Sequence, residues 1–166
     1  MGRLEAEDYL PAFTKKSDKP VFAYAGGFIP GKRDPGALLR FLTESKADFQ
    51  FIVYTNMAEM LGPYKETLGE KLIIRDYIPR DELLLVLAGM DFLVNIDNNT
   101  GTQLPSKLID YAITGRPVFN ITAETDFSVL QEFLDGNYSG KMQLAPPDDY
   151  DIRNVASNFM QLQRGK

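Results

Sequence analysis

Asp91-Phe-Leu-Val-Asn-Ile96 and Gly101-Thr-Gln-Leu-Pro-Ser-Lys-Leu-Ile-Asp-Tyr-Ala-Ile-Thr-Gly-Arg-Pro-Val118 decide the fold. The first run is apolar apart from Asp91 at its start and Asn95, as expected of a strand buried on both faces of a parallel sheet. The second holds a polar loop, a proline-started helix carrying a lysine and a carboxylate, and a Gly-Arg-Pro return to the next strand. The loop at 97–104 therefore falls at the carboxyl end of a strand, where open α/β sheets bind ligands. A helix start beside Lys107 suits an anionic one.

The same alternation runs through the rest of the chain. Strand-like segments at 21–25, 49–54, 71–74, 91–96, 117–120 and 141–144 are followed by helix-like segments at 35–46, 57–68, 80–89, 105–114, 125–135 and 149–163. Six strand–helix pairs with short connections predict an α/β fold, a Rossmann-like doubly wound parallel sheet of about six strands. Boundary signals agree: Asp34-Pro35 is a cap followed by proline, Pro79-Arg80-Asp81 leads into an apolar helix, and Gly115 ends its helix just before Pro117. Residues 1–19 are polar, carry Lys15-Lys16-Ser17-Asp18-Lys19, and read as a linker ahead of a domain over 20–166.

With 166 residues the chain has room for one domain with a proper core but not for two full ones. Its net charge of -5 is spread without basic runs, which argues against nucleic acid as a partner. The absence of cysteine and histidine excludes disulfides, thiolate metal sites and imidazole bases. Chemistry is left to carboxylates, hydroxyls, lysine and backbone. No apolar run approaches the roughly 18 to 20 residues of a membrane-spanning helix, and Met1-Gly-Arg-Leu-Glu lacks a signal-peptide core. The chain is expected to be soluble and cytoplasmic.

Four constellations can carry chemistry. On a helix over 105–114, about 100° per residue places Ser106, Lys107 and Asp110 on one polar arc, with Leu108, Ile109, Ala112 and Ile113 expected on the core side. The free N–H groups of the first turn can meet a diphosphate, and Asp110, one turn deeper, can accept hydrogen bonds from a ribose diol. The alternative is a solvated i,i+3 pair between Lys107 and Asp110. In the loop Gly26-Gly27-Phe28-Ile29-Pro30-Gly31-Lys32-Arg33, the glycines allow close backbone approach and Lys32 with Arg33 can neutralise a pyrophosphate; a loop tip with exposed basic residues is the other reading. The G-x-x-x-x-G-K spacing of a P-loop is present, but Arg33 stands where a Ser or Thr is needed, and the dinucleotide G-x-G-x-x-G fingerprint is absent. Arg75-Asp76-Tyr77-Ile78-Pro79 leaves the third strand toward the same edge, where Tyr77 or Ile78 can pack on a base or, alternatively, in the core. The hydroxyl- and amide-rich stretch Asp97 to Gln103, with Thr102 and Gln103 at its end, suits sugar hydroxyls.

The run from Asp91 to Val118, with Pro105-Ser106-Lys107-Leu108, Asp110-Tyr111 and Gly115-Arg116-Pro117-Val118, resembles the donor-binding C-terminal domain of GT-B glycosyltransferases, particularly bacterial enzymes of surface-polysaccharide synthesis. The likeness extends over about residues 21 to 163. It implies one half of a GT-B fold that binds a nucleoside-diphosphate sugar, with Gly27, Lys32, Arg33, Ser106 and Lys107 around the diphosphate and Asp110 on the ribose. Tyr77 and Ile78 fall near the base, and Thr102 and Gln103 near the donor sugar; Thr102 stands where many retaining members have the first of two glutamates. The resemblance further implies metal-independent transfer without a cofactor, an N-terminal acceptor domain missing from this chain, no catalysis by this half alone, and room for peripheral membrane association of the longer parent. The catalytic residue is not identifiable here. Two alternatives stand beside this reading. One is a flavodoxin-like single-domain module using Asp76 or Asp97 for a phosphoryl group or metal, and the other is half of a sugar-nucleotide epimerase.

Overall fold

The structure, a computed structural model, describes residues 19–29, 33–97, 106–122 and 124–144, with Ser106 and Lys107 described by backbone alone. Five parallel strands, β1 (Val21–Ala25), β2 (Gln50–Tyr54), β3 (Leu72–Arg75), β4 (Phe92–Ile96) and β5 (Val118–Ile121), lie in the order β3-β2-β1-β4-β5. Between them run α1 (Gly36–Glu44), α2 (Gly62–Leu68, preceded by a 3₁₀ turn over Ala58–Leu61), α3 (Arg80–Ala88), α4 (Ser106–Thr114) and α5 (Ser128–Leu134). This is the Rossmann order, and it differs from the 2-1-3-4-5 order of a flavodoxin-like module. The chain reverses direction of growth where β4 joins the sheet beside β1, so the topological switch point lies between those two strands.

The period-2 alternation of each strand sorts its side chains between two cores. On one face Phe22, Tyr24, Phe51, Val53, Phe92, Val94 and Phe119 pack with Leu38, Leu39 and Leu42 of α1, Leu68 of α2, and Leu130 and Phe133 of α5. On the other, Ala23, Ala25, Ile52, Tyr54, Leu93 and Val118 pack with Val86 and Leu87 of α3 and Tyr111 of α4. The register sets Phe22 opposite both Phe51 and Phe92. Their rings form a stacked row across three strands, with centroids 4.8 Å apart to Phe51 and 4.5 Å to Phe92.

Local signals act much as the sequence suggests. The Asp34 carboxylate accepts the Gly36 N–H at 2.8 Å at the start of α1. Gly115, at φ 72°, takes the left-handed position that ends α4. At the opposite edge of the sheet from the switch-point loops, the Asp91 carboxylate accepts the Val21 N–H at 2.8 Å while Asp91 N–H donates to Val21 O, tying the start of β1 to the turn before β4.

Two expectations are corrected. Lys141–Leu144 is not a sixth strand; it runs past β5 and makes one backbone bond there, Met142 N–H to Val118 O at 2.8 Å. Helix α4 is also rotated from the expected face: Ile109 is 60% exposed, whereas Tyr111, Ile113 and Thr114 are buried. Tyr111, 200° from Ile109 at the helical repeat of about 100° per residue, takes the core side because its ring fills the α3–sheet space and its hydroxyl finds partners there. The linker expected over 1–19, apart from Lys19, and the helix expected over 149–163 lie outside the described residues.

Candidate functional site

The carboxyl ends of β1, β3 and β4 and the start of α4 face one edge of the sheet. A cleft of about 200 Å³ opens there, floored by Leu83, Leu84 and Leu87 of α3 and walled by Ala25 and Gly26 at the end of β1. Tyr77, Asp110 and Tyr111 complete its lining. The cleft is thus mostly apolar with a few polar groups at its rim, the usual make-up of a small-molecule site.

Tyr111 holds α4 to the switch point. Its hydroxyl donates to Val94 O of β4 at 2.9 Å and accepts the Ala25 N–H of β1 at 3.3 Å. Burial pushes this phenol far above its usual pKa, so it stays neutral and keeps its proton for Val94. Asp110 therefore projects from a helix whose next residue is fixed to both strands.

The β1–α1 loop is built from below. Tyr24 is fully buried, stacks on Phe28 at 5.1 Å, and donates its hydroxyl hydrogen to Gly27 O at 2.6 Å. The Phe28 N–H points at the Met57 sulfur, 3.2 Å away. Gly26, at φ 146°, makes the turn out of the strand in a conformation that L side chains rarely adopt. Ile29 N–H donates to Arg33 O at 2.8 Å, so the ends of the loop are paired. Its described ends are therefore anchored, unlike a loose tip, while Pro30, Gly31 and Lys32 lie outside the described residues.

Arg33 is half-buried rather than exposed, and it sits against Tyr24, whose pKa burial raises and Arg33 partly restrains. Its Nε is buried and has no hydrogen-bond partner among the described residues. Such an unpaired buried donor is uncommon in a settled structure.

Across the cleft, Tyr77 is half-exposed and its hydroxyl would stand 3.9 Å from a β-carbon added to Gly27. The two loops thus approach each other over the end of β1. Ile78 instead packs against the α3–α4 core with Leu83, so only Tyr77 of the two base candidates lines the cleft.

Asp110 has a partner that the sequence does not announce. Arg80, the first residue of α3, reaches its carboxylate with Nη2 2.7 Å from Oδ1 and Nε 3.2 and 3.4 Å from Oδ1 and Oδ2. The structure therefore gives Asp110 an ion pair with Arg80 of the neighbouring helix; the side chains of Ser106 and Lys107, and all of Thr102 and Gln103, lie outside the described residues. The backbone of Ser106 does open α4, as the sequence predicts. Arg80 and Tyr111 are the site residues that sequence reasoning missed. The available signal was positional: both stand on helices that directly follow strands meeting at this edge.

Among the described residues no cluster of three or more carboxylates, cysteines or histidines is placed to hold a metal ion. None of their helices is long and apolar enough to cross a membrane.

No protein-family model matches the chain, and no curated protein matches its sequence. Among solved structures it is similar to the UDP-GlcNAc 2-epimerase of Neisseria meningitidis bound to UDP-GlcNAc, with a TM-score of 0.52 at 13% identity over 97% of this chain and 47% of that one. It also matches a structure described as the basis for EarP-mediated arginine glycosylation of translation elongation factor EF-P, with a TM-score of 0.46 at 10% identity over 94% of this chain and 55% of that one. The chain spans about half the length of each, 47% and 55%. The likeness to the epimerase is one of fold, a Rossmann-like α/β unit.

Proposed function

We propose that this chain is the donor-binding half of a GT-B glycosyltransferase and holds a nucleoside-diphosphate sugar at the β1/β4 switch point. The observation that carries the proposal is the convergence of Gly26, Tyr77 and Asp110 on one cleft at the carboxyl edge of a Rossmann-ordered sheet. That edge is where the fold's strand ends, glycine turn and helix starts are aimed at a ligand. The epimerase of like fold is itself described as bound to UDP-GlcNAc, which supports a sugar nucleotide as the ligand class.

In this reading the base packs on Tyr77 and the ribose diol donates to Asp110. The diphosphate lies between the Gly26-Gly27 turn, with Lys32 and Arg33, and the start of α4 with Ser106 and Lys107. Arg33, set against the buried Tyr24, would bring its charge to the side of the diphosphate that faces the end of β1. Thr102 and Gln103 are the residues assigned to the donor sugar. As the bond from the anomeric carbon to the diphosphate breaks, negative charge grows on the leaving phosphate, and these cations and helix N–H groups stabilise it without a metal. In this reading the acceptor, and the base that takes its hydroxyl proton, are held by an N-terminal domain of a longer parent, and this half binds donor without turning it over. Ile29 and Tyr77, exposed large apolar residues in loops that leave the carboxyl ends of β1 and β3, suit a face covered by that domain.

Calorimetric titration with UDP, GDP and UDP-sugars tests the proposal. One nucleoside diphosphate should bind, and Asp110→Ala and Lys107→Ala should each weaken it; a folded protein that binds none of them contradicts it. Half of a sugar-nucleotide epimerase is a second reading, favoured by the identity of the first structural neighbour. It predicts the same binding, and assay of the longer protein for epimerised sugar nucleotide against transferred sugar separates the two.

A further inference from the structure

We propose that Arg80 is a positioning residue for sugar-nucleotide recognition: its guanidinium holds the Asp110 carboxylate in the orientation that meets the ribose diol. The proposal rests on the nucleotide-binding reading of the cleft and adds a residue and a mechanism to it.

The geometry of the fork is asymmetric. Nη2 makes a short bond to Oδ1 at 2.7 Å, and Nε, at 3.2 Å from Oδ1 and 3.4 Å from Oδ2, is shared between the two oxygens. Oδ1 is therefore the tied atom. Among the described residues Oδ2 receives only the long contact and keeps nearly all its capacity to accept, out of about four lone-pair sites on a carboxylate. A ribose diol presents two hydroxyl donors and needs an acceptor with that capacity.

The surroundings leave Arg80 the task of orienting the group. The backbone at Asp110 is set by Tyr111, whose hydroxyl is bonded to Val94 and Ala25, so the remaining freedom of Asp110 lies in its side-chain torsions. A fork on one carboxylate oxygen removes that freedom. Asp110 is 24% exposed and Arg80 53%, so the acid sits deeper in the rim and its cation stands nearer solvent. Because Arg80 opens α3 immediately after the Tyr77-Ile78-Pro79 turn, the pair also ties the loop proposed for the base to the helix proposed for the ribose.

A merely structural ion pair would affect every ligand alike, whereas a positioning residue acts through the diol. The test measures affinities of the wild type, Arg80→Ala, Arg80→Lys, Asp110→Ala and the Arg80→Ala/Asp110→Ala double variant. The probes are UDP and GDP, each beside its 2′,3′-dideoxy counterpart. For the ribonucleotide that binds, Arg80→Ala should lower affinity about tenfold, in the range of a lost hydrogen bond to a charged group. The dideoxy nucleotide should bind Arg80→Ala and wild type within about twofold, and the double variant should lose no more than Asp110→Ala alone. Arg80→Lys, which keeps the charge but not the fork, should recover only part of the loss. The proposal is overturned if Arg80→Ala binds the ribonucleotide as wild type does, if its loss is equal for both sugars, or if Lys restores affinity fully. Binding that Asp110→Ala weakens and Arg80→Ala does not touch would remove the positioning role while leaving the nucleotide site standing; no nucleotide binding by any folded variant would remove both.

Discussion

The Tyr111 hydroxyl bridges two strand ends, donating to Val94 O of β4 at 2.9 Å and accepting from Ala25 N–H of β1 at 3.3 Å. Those strands flank the switch point, so one phenol fixes the helix that carries Asp110 against the wall of the cleft at Ala25. Tyr111→Phe keeps the ring and strands two buried backbone groups. The expected loss is about 1–3 kcal/mol of folding stability, read from urea denaturation at neutral pH. Nucleotide affinity should fall with it, because α4 then loses its hydrogen bonds to β1 and β4. Unchanged stability would show that the bridge does not bear on the fold.

The two glycines at the end of β1 should respond differently to alanine. Gly26 sits at φ 146°, so Gly26→Ala strains the backbone and should cost about 1–3 kcal/mol of stability. At Gly27 a β-carbon would stand 3.5 Å from the Met57 sulfur and 3.9 Å from the Tyr77 hydroxyl, both ordinary contacts. Gly27→Ala should therefore fold within about 0.5 kcal/mol of wild type yet bind nucleotide less well, since the methyl enters the gap between the two loops. Equal binding by Gly27→Ala and wild type would place the diphosphate elsewhere.

Alkaline pH should unfold the protein through its buried tyrosines. Burial pushes the Tyr54 hydroxyl up from 10.0 to about 12, and it moves Tyr24 and Tyr111 in the same direction. A folded pKa above the unfolded one means that the neutral phenol is favoured by folding. The stabilisation is complete below pH 10 and is lost as pH rises from there through 12. Phenolate absorbance against pH should show a late-titrating group of tyrosines that become ionised together with the loss of secondary structure. Full tyrosine ionisation near pH 10 with the fold intact would contradict the burial of these hydroxyls.

The sheet was legible in the sequence because buried parallel strands write themselves as short apolar runs, and β1 to β5 each begin within a residue of where those runs begin. Lys141–Leu144 carries the same alternation, yet its pairing depends on what lies beside β5, which no local pattern records. The face of α4 was misjudged for a related reason: counting Ile109 as core and passing over Tyr111 follows hydropathy, while the buried phenol is favoured by two backbone partners contributed by strands far away in sequence. The Gly26-Gly27 turn, Tyr77 and Asp110 were identifiable from residue type and position at strand ends. Arg80 was not, because its meaning comes only from Asp110, thirty residues further along the chain. Paired charges on neighbouring helices leave no periodic trace.

The central claim, that a nucleoside diphosphate occupies the β1/β4 switch point, is tested most directly by amide NMR of the labelled protein titrated with UDP and with GDP. The prediction is that one of them shifts a contiguous set of resonances at Gly26, Gly27, Tyr77, Arg80, Asp110 and Tyr111. Shifts confined to another surface, or none at all for a folded protein at saturating nucleotide, would contradict it.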